Sequence, residues 1–369
     1  MPSTTTPVRR RARFHTLRVA QVRPLTSDSV EVTFAVPDAL HGEFDYAPGQ
    51  YVALRAHLDG HEVRRSYSLC RPPEPGALSV AIKRDEGGVF STWANDELTA
   101  GTEIDVMSPQ GTFTSTLNDL GGKHLAGIAA GSGITPLMAL VRTTLESSPT
   151  ARVSLVYANR SSLDVMFLEE LADLKDRFPT RFALHHVLTR EQRTAPLLSG
   201  RLDGERLDAV LHGLVRPQTV DEWFLCGPIG LVQTTREALD RAGVDPAHVR
   251  YELFTTGEPG GGPRRAAPAT TPDDGARFTI DFTLDGQSAR VETPVDAHES
   301  ILDAALRVRP DTPFACAGGV CGTCRARVIE GSVQMKENYA LEPDEIERGY
   351  VLTCQSRPTT PCVVVDYDA

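Results

Sequence analysis

Four of the seven cysteines fall within residues 316–354, as Cys316-x4-Cys321-x2-Cys324 with Cys354 further on. This spacing constrains the fold more than any other feature of the chain. Two irons that share bridging sulfides need four thiolates converging on one compact unit. A tight loop can supply three of them and a distant segment the fourth, which is the pattern of [2Fe–2S] ligation. Gly318, Gly319 and Gly322 let the backbone curl close to such a cluster and aim N–H groups at its sulfurs. A structural zinc site is the competing reading, but zinc prefers paired C-x2-C halves, and only one half here has that form. An odd cysteine total fits a disulfide framework poorly and fits thiolate ligation in a reducing cytoplasm better. Cys362, between Pro361 and Val363, is expected to be a small buried hydrophobe outside the ligand set.

The rest of the chain divides by composition. Residues 258–275, EPGGGPRRAAPATTPDDG, have almost nothing to bury and read as a flexible linker. Before it, the pattern changes at residues 117–123. Residues 13–118 carry short alternating runs separated by Gly and Pro turns: 29–36, 51–54, 66–69, 78–83 and 103–107. One short helix is expected at 89–98, and the whole predicts an antiparallel β-barrel. Residues 119–257 alternate strands (124–130, 153–157, 182–188, 222–226) with amphipathic helices, which predicts a doubly wound α/β domain on a parallel sheet. One of these helices is expected to carry Leu163, Phe167, Leu171, Leu174 and Phe178 on a single face. Residues 276–369 form the third, cysteine-bearing α+β domain. No apolar run approaches the roughly 18–20 residues that span a bilayer, and the basic N-terminus (Arg9, Arg10, Arg11, Arg13) has no apolar core behind it. A cytoplasmic protein with a solvated basic tail is expected. A net charge of −11 argues against nucleic acid as the main partner.

Several stretches then carry a resemblance. Arg65-Ser66-Tyr67-Ser68-Leu69 is followed by Ala81-Ile82-Lys83 and by Gly87-Gly88-Val89-Phe90-Ser91. Beyond them stand Gly131-Ser132-Gly133-Ile134-Thr135-Pro136, Cys226-Gly227-Pro228 and Tyr251-Glu252-Leu253-Phe254. Together they resemble the ferredoxin-NADP reductase superfamily. The tail, with FTIDFTLDG, SILDAALRV, the cysteine loop and GYVLTCQSRP, resembles a plant-type ferredoxin domain, a β-grasp. The resemblance implies FAD on the barrel. Arg65 would pair with its pyrophosphate through the guanidinium fork, Tyr67 would stack on the isoalloxazine, and Ser66 and Ser68 would line it, Ser68 near N5. Ala81, Ile82, Lys83 and the segment Gly88, Val89, Phe90, Ser91 would border the diphosphate. Taken alone, the pentapeptide could be an ordinary strand.

A glycine turn after a buried strand lets a pyrophosphate approach the next helix's N-terminus. That turn alone is weak evidence; the resemblance, through the intact Gly131–Pro136 motif, implies that Gly131, Ser132, Gly133, Thr135 and Pro136 hold NAD(P)H, and Thr135 can also cap the helix. Asn159 and Arg160 end the next strand, where the adenosine ribose should lie. Arg160 could meet a 2′-phosphate, which favours NADPH, although it could equally be a surface arginine, and NADH-using reductases can carry Asn-Arg here. The family places Cys226, Gly227 and Pro228 beside the nicotinamide, and Glu252 and Phe254 near the flavin face. Cys226 could instead be a buried strand cysteine, and 251–254 a core-facing strand. Catalytic roles are expected for Tyr67, Ser68, Cys226 and Glu252. The metal ligands are expected to be Cys316, Cys321, Cys324 and Cys354.

The module order implies electrons passing from NAD(P)H through FAD to [2Fe–2S]. Nicotinamide gives two electrons at once and a cluster takes one at a time, and a flavin can do both. Plant-type clusters sit near about −400 mV, so a demanding acceptor is expected. The chain shows no haem or di-iron ligand set of its own, so that acceptor is an oxygenase partner. Within the superfamily, NYAL and RGYVL in the tail particularly resemble the reductases of phenylacetyl-coenzyme A epoxygenases, which act in aromatic catabolism. Reductases of Rieske oxygenases for steroids or aromatic acids share the module order, and a stand-alone flavin reductase or electron carrier is a further alternative.

Overall fold

The structure is a computed structural model. It describes residues 13–192, 194–254, 276–310, 312–314, 318–319, 322–338, 340–341 and 343–369, without the side chains of His61 and Glu62. The expected linker, Arg9–Arg11 and two of the expected ligands, Cys316 and Cys321, lie outside the described residues.

Six antiparallel strands form the first unit: β1 (Phe14–Thr26), β2 (Ser29–Ala35), β3 (Tyr51–Leu58), β4 (His61–Ser68), β5 (Ala77–Lys83) and β6 (Glu103–Met107), in the order β4-β3-β6-β1-β2-β5. The two ends meet through a bridge between Leu69 and Val80, closing a barrel. Alternation sends Val32, Phe34, Val52, Leu54, Leu78, Val80 and Ile82 into its core. Helix α1 (Val89–Asp96) follows β5. The sequence pattern misses β1. Register shifts at Val19/Gln21 and Pro24/Thr26 break its alternation, so no clean period of two is left to read.

The second unit is a five-stranded parallel sheet, β7 (His124–Ala130), β8 (Arg152–Asn159), β9 (Phe182–Leu188), β10 (Glu222–Pro228) and β11 (Val249–Phe254), in the order β11-β10-β7-β8-β9. Helices α2 (Ile134–Ser147), α3 (Leu168–Arg177), α4 (Gly204–Val210) and α5 (Ile229–Arg241) connect its strands. Helix α3 is shorter than the apolar spacing predicts. Leu163 sits in a separate turn and is 85% exposed, while Phe167 is buried with φ at +59°. Only Leu171 and Leu174 of the expected stripe lie buried within the helix.

The third unit pairs β12 (Arg277–Leu284), β13 (Gln287–Pro294), β14 (Arg325–Glu330), β16 (Tyr350–Leu352) and β18 (Cys362–Asp366) as β13-β12-β18-β14-β16, with β15 (Val333–Met335) and β17 (Ser356–Pro358) paired beside them. Helix α6 (Ile301–Val308) starts at Ser300, whose Oγ accepts the Asp303 N–H. A short α7 (Pro343–Glu347) precedes β16. Cys362 departs from expectation, because it is exposed. Alternation along β18 buries Val363 and Val365 and leaves Cys362 on the outer face. No described helix is long and apolar enough to cross a membrane.

Candidate electron-transfer site

The residues expected to border FAD cluster where β4, β5 and α1 meet. Tyr67 packs its ring against Phe90, with centroids 5.7 Å apart, and burial pushes its hydroxyl well above the ordinary value. Arg65 donates Nη1–H to the Arg64 carbonyl at 2.7 Å. Ser66 Oγ is buried without a hydrogen-bond partner among the described residues, which suits a site that takes a polar ligand. Gly88 precedes α1, and a Cβ there would lie 2.6 Å from Ser91 Oγ. A larger residue there would have to displace the Ser91 hydroxyl, and the helix start carries no side-chain cap, so its N–H groups stay available to phosphate oxygens. Ala81, Ile82 and Phe90 are buried, so their backbones rather than their side chains are what they offer. Val89 is half exposed. Lys83 donates to Asp28 at 2.7 Å, and Ser91 Oγ accepts the Asp85 N–H.

The residues expected to hold NAD(P)H lie at the C-terminal edge of the parallel sheet, where such folds bind dinucleotides. Gly131 has φ at +53°, and a Cβ on Gly133 would lie 2.2 Å from the Cys226 carbonyl oxygen. Gly133 therefore needs glycine, Gly131 takes a left-handed conformation that glycine adopts at least cost, and the close approach brings the Gly131–Gly133 turn onto Cys226-Gly227-Pro228. Thr135 is no helix cap. Its hydroxyl donates back to the Ser132 carbonyl at 3.0 Å, and Pro136 is buried in the same first turn. Tyr157 donates to the Gly131 carbonyl at 2.9 Å and braces the turn. Asn159 is buried at the end of β8. Arg160 is half exposed, paired with Asp164 and, at 3.3 Å, with Asp28 of the barrel.

The two sides converge on Glu252. Strand pairing puts it opposite Cys226, with Phe254 opposite Pro228. Ser68 Oγ donates to Glu252 Oε2 at 3.1 Å, joining the barrel to the parallel sheet. Burial raises the Glu252 carboxyl to about 7, although the Ser68 bond opposes the shift. Burial, and then the Glu252 charge, also push the Cys226 thiol up.

On the cluster side, β14 and β16 bring Cys324 and Cys354 into one apolar cluster with Leu302, Phe314 and Leu352. Thr353 donates both its N–H (3.2 Å) and its hydroxyl (2.9 Å) to the Cys324 carbonyl. Gly319 and Gly322 have φ at +78° and +67°, the left-handed turns that a loop curling around a cluster requires. Two thiols drawn into one apolar cluster suit [2Fe–2S] ligation.

Sequence reasoning missed the residues that join the parts, whose partners lie far away in the chain. The Tyr51 and Thr323 hydroxyls share a hydrogen bond at 2.8 Å, and Tyr51 is the strand partner of Ser68. Glu31, in the barrel, bonds Arg71 and Arg23, and both arginines reach Glu170 of α3.

Comparison with known proteins matches this division. Residues 16–115 match the oxidoreductase FAD-binding domain family, 128–237 the oxidoreductase NAD-binding domain family, and 282–359 the 2Fe-2S iron-sulfur cluster binding domain family. The chain is 44% identical over 357 residues to one component of the 1,2-phenylacetyl-CoA epoxidase of Escherichia coli (strain K12), covering 96% of this chain and 98% of that protein. It is 34% identical to the ferredoxin reductase component of the 3-ketosteroid-9-alpha-monooxygenase of Rhodococcus rhodochrous, covering 95% and 96%. In fold it is similar to phthalate dioxygenase reductase, with a TM-score of 0.58 and 22% identity over 96% of this chain and 98% of that one. The chain belongs to the ferredoxin-NADP reductase superfamily, among the oxidoreductase components of oxygenases that use FAD, NAD(P)H and a C-terminal [2Fe–2S] domain.

Proposed function

We propose that this chain is the reductase of a phenylacetyl-coenzyme A epoxidase system and passes electrons singly to that oxygenase. One observation supports the order of flow most directly: Ser68, bonded to Glu252 on the nicotinamide side, is paired across β3 and β4 with Tyr51, which bonds Thr323 beside Cys324. Nicotinamide-side and cluster-side residues thus meet at one strand pair. The domains divide as 13–118, 119–257, a 258–275 linker and 276–369. A thiolate-held cluster needs reduced cysteines, which supports a cytoplasmic location.

Arg65 would hold the FAD pyrophosphate, Ser66 would supply a polar contact, and Tyr67 would face the ring. Gly131, Gly133 and the α2 N-terminus would hold the NAD(P)H pyrophosphate, with Cys226, Gly227 and Pro228 bordering the nicotinamide. Cys316, Cys321, Cys324 and Cys354 would ligate the irons. Bound there, FAD accepts two electrons with a proton as hydride, and the cluster takes electrons one at a time. Glu252 holds a proton near neutral pH, and its Oε2 orients the Ser68 hydroxyl. Arg160 would meet a 2′-phosphate and favour NADPH. Its charge is already shared by Asp164 and Asp28, so the preference is modest.

Coupled turnover tests the assignment. The purified chain should support phenylacetyl-CoA epoxidase components with NADPH. Support confined to a Rieske oxygenase would favour the second reading, to which the similarity with the 3-ketosteroid monooxygenase reductase points.

A further inference from the structure

Strand alternation gives β3 two faces. Val52 and Leu54 enter the barrel core, while Tyr51, Ala53 and Arg55 take the outer face. Register extends that outer face across three strands and onto β1. Tyr51 pairs with Ser68, Ala53 with Ser66, Arg55 with Arg64 and with Asp105, and Phe14 with Met107. The outside of a small barrel is ordinarily wet. Here Tyr51, Ala53 and Met107 are 5%, 0% and 1% exposed and form, with Phe14, an apolar patch separate from the barrel core.

The third unit makes direct contacts on this patch. Tyr51 bonds Thr323. Arg64, only 3% exposed, donates Nη2–H to the Pro310 carbonyl at 3.2 Å. Its guanidinium lies over the Phe314 ring at 4.6 Å and over the Phe14 ring at 5.2 Å. A planar, weakly hydrated guanidinium can stack on aromatic faces and still donate at its edge, which an ammonium cannot reproduce. Phe314 stands two residues before Cys316, and Thr323 immediately precedes Cys324. The contacts therefore flank the cysteine loop on both sides.

We propose that Arg64 is a positioning residue that docks Pro310 and Phe314, beside Thr323, on the outer face of the β3–β4 hairpin and thereby sets how fast electrons cross to the cluster. This rests on the reading that FAD binds at Arg65–Ser68. The docking makes and breaks no covalent bond. Each crossing takes one electron from reduced flavin and converts one ferric iron to ferrous; the oxygenase partner reoxidises the cluster between crossings, and two crossings with release of one proton to solvent account for one hydride.

The test is Arg64→Ala and Arg64→Lys in the full holoprotein. FAD content, cluster absorbance and the rate of flavin reduction by NADPH should match the wild type. Cluster reduction after rapid mixing should slow about tenfold in Arg64→Ala, and backbone hydrogen exchange at Thr312 and Phe314 should quicken. Arg64→Lys should recover only part of both. Unchanged cluster reduction and exchange in Arg64→Ala, or full rescue by Lys, would overturn the proposal. Tyr51→Phe removes only a hydroxyl from the same interface and should slow the same step a few-fold. No slowing there would also count against docking, should loss of Arg64 unfold the barrel. A wild-type protein whose flavin NADPH does not reduce would instead refute the underlying site reading.

Discussion

The barrel meets its two neighbours through seams of different chemistry. Toward the parallel sheet the seam is ionic and buried. Glu31 is held by Arg71 and Arg23, which both reach Glu170, and Glu222 accepts from Ser115 and Thr116 at 2.6–3.0 Å. Toward the cluster domain the seam is stacked and apolar, built on Arg64, Phe314, Tyr51 and Thr323. Buried carboxylates with several fixed donors tolerate little displacement, because any gap leaves a charge unpaired in a dry site. The Arg64 guanidinium is also buried, but it is held mainly over ring faces, an attraction less dependent on position than a set of short fixed hydrogen bonds. The first seam suits hydride transfer, which needs the reacting atoms nearly in contact. The second suits electron transfer between domains, which does not.

Breaking the ionic seam should have the largest effect on stability. Glu31→Ala leaves Arg71 and Arg23 only the partly exposed Glu170 to share and should cost about 1–3 kcal/mol, read from chemical denaturation followed by flavin fluorescence. Burial alone would raise the Glu31 carboxyl, but the two guanidinia hold it below its ordinary 4.5. Its stabilisation is therefore complete above that value and is lost as pH falls through the native value. Glu31→Gln should flatten this acid limb. An unchanged midpoint in Glu31→Ala would mean that the seam is not held ionically.

Glu252 sits where the nicotinamide-side residues meet the barrel and titrates with the opposite sign. Its native value near 7 exceeds the ordinary 4.5, so the cost of ionising it is absent below 4.5, grows between the two and is complete above 7. Glu252→Gln should gain stability relative to the wild type at pH 8 but not at pH 4. It should also lose an inflection near pH 7 in flavin reduction by NADPH. Persistence of that inflection would assign it to another group.

The smallest effect is expected at Arg160. Arg160→Ala should raise KM for NADPH by less than about tenfold and leave NADH almost unchanged, because the guanidinium already has two carboxylate partners and the new phosphate contact only replaces them. Equal effects on both nucleotides would show that Arg160 does not read the 2′-phosphate.

What the sequence made legible was local. The cysteine spacing, Arg65–Leu69 and Gly131–Pro136 each carry their chemistry within a few residues, and Gly133 and Gly319 show why glycine is required. Strand alternation was equally readable where it was unbroken, as in β2, and failed in β1, where bulges shift the phase. Thr135 looked like a cap because Thr at a helix start usually is one, but its hydroxyl turned back to Ser132. Cys362 was misread because its neighbours suggested burial, whereas strand phase decided its face. Nothing near Glu31, Arg64 or Tyr51 in the chain hints at Glu170, Phe314 or Thr323, since those partners meet only after three sheets have formed.

In this scheme electrons leave the chain through the cluster. The most direct test is the full-length Cys354→Ser variant, assayed for NADPH–ferricyanide reduction and for turnover of the epoxidase components. Cys354 lies beside Cys324 in one apolar cluster, so its loss should remove or destabilise the [2Fe–2S] centre while FAD stays bound. Ferricyanide reduction, which can draw on flavin directly, should persist at near wild-type rate, and epoxidase turnover should fall to background. Full epoxidase turnover by a variant lacking the cluster spectrum would contradict the scheme.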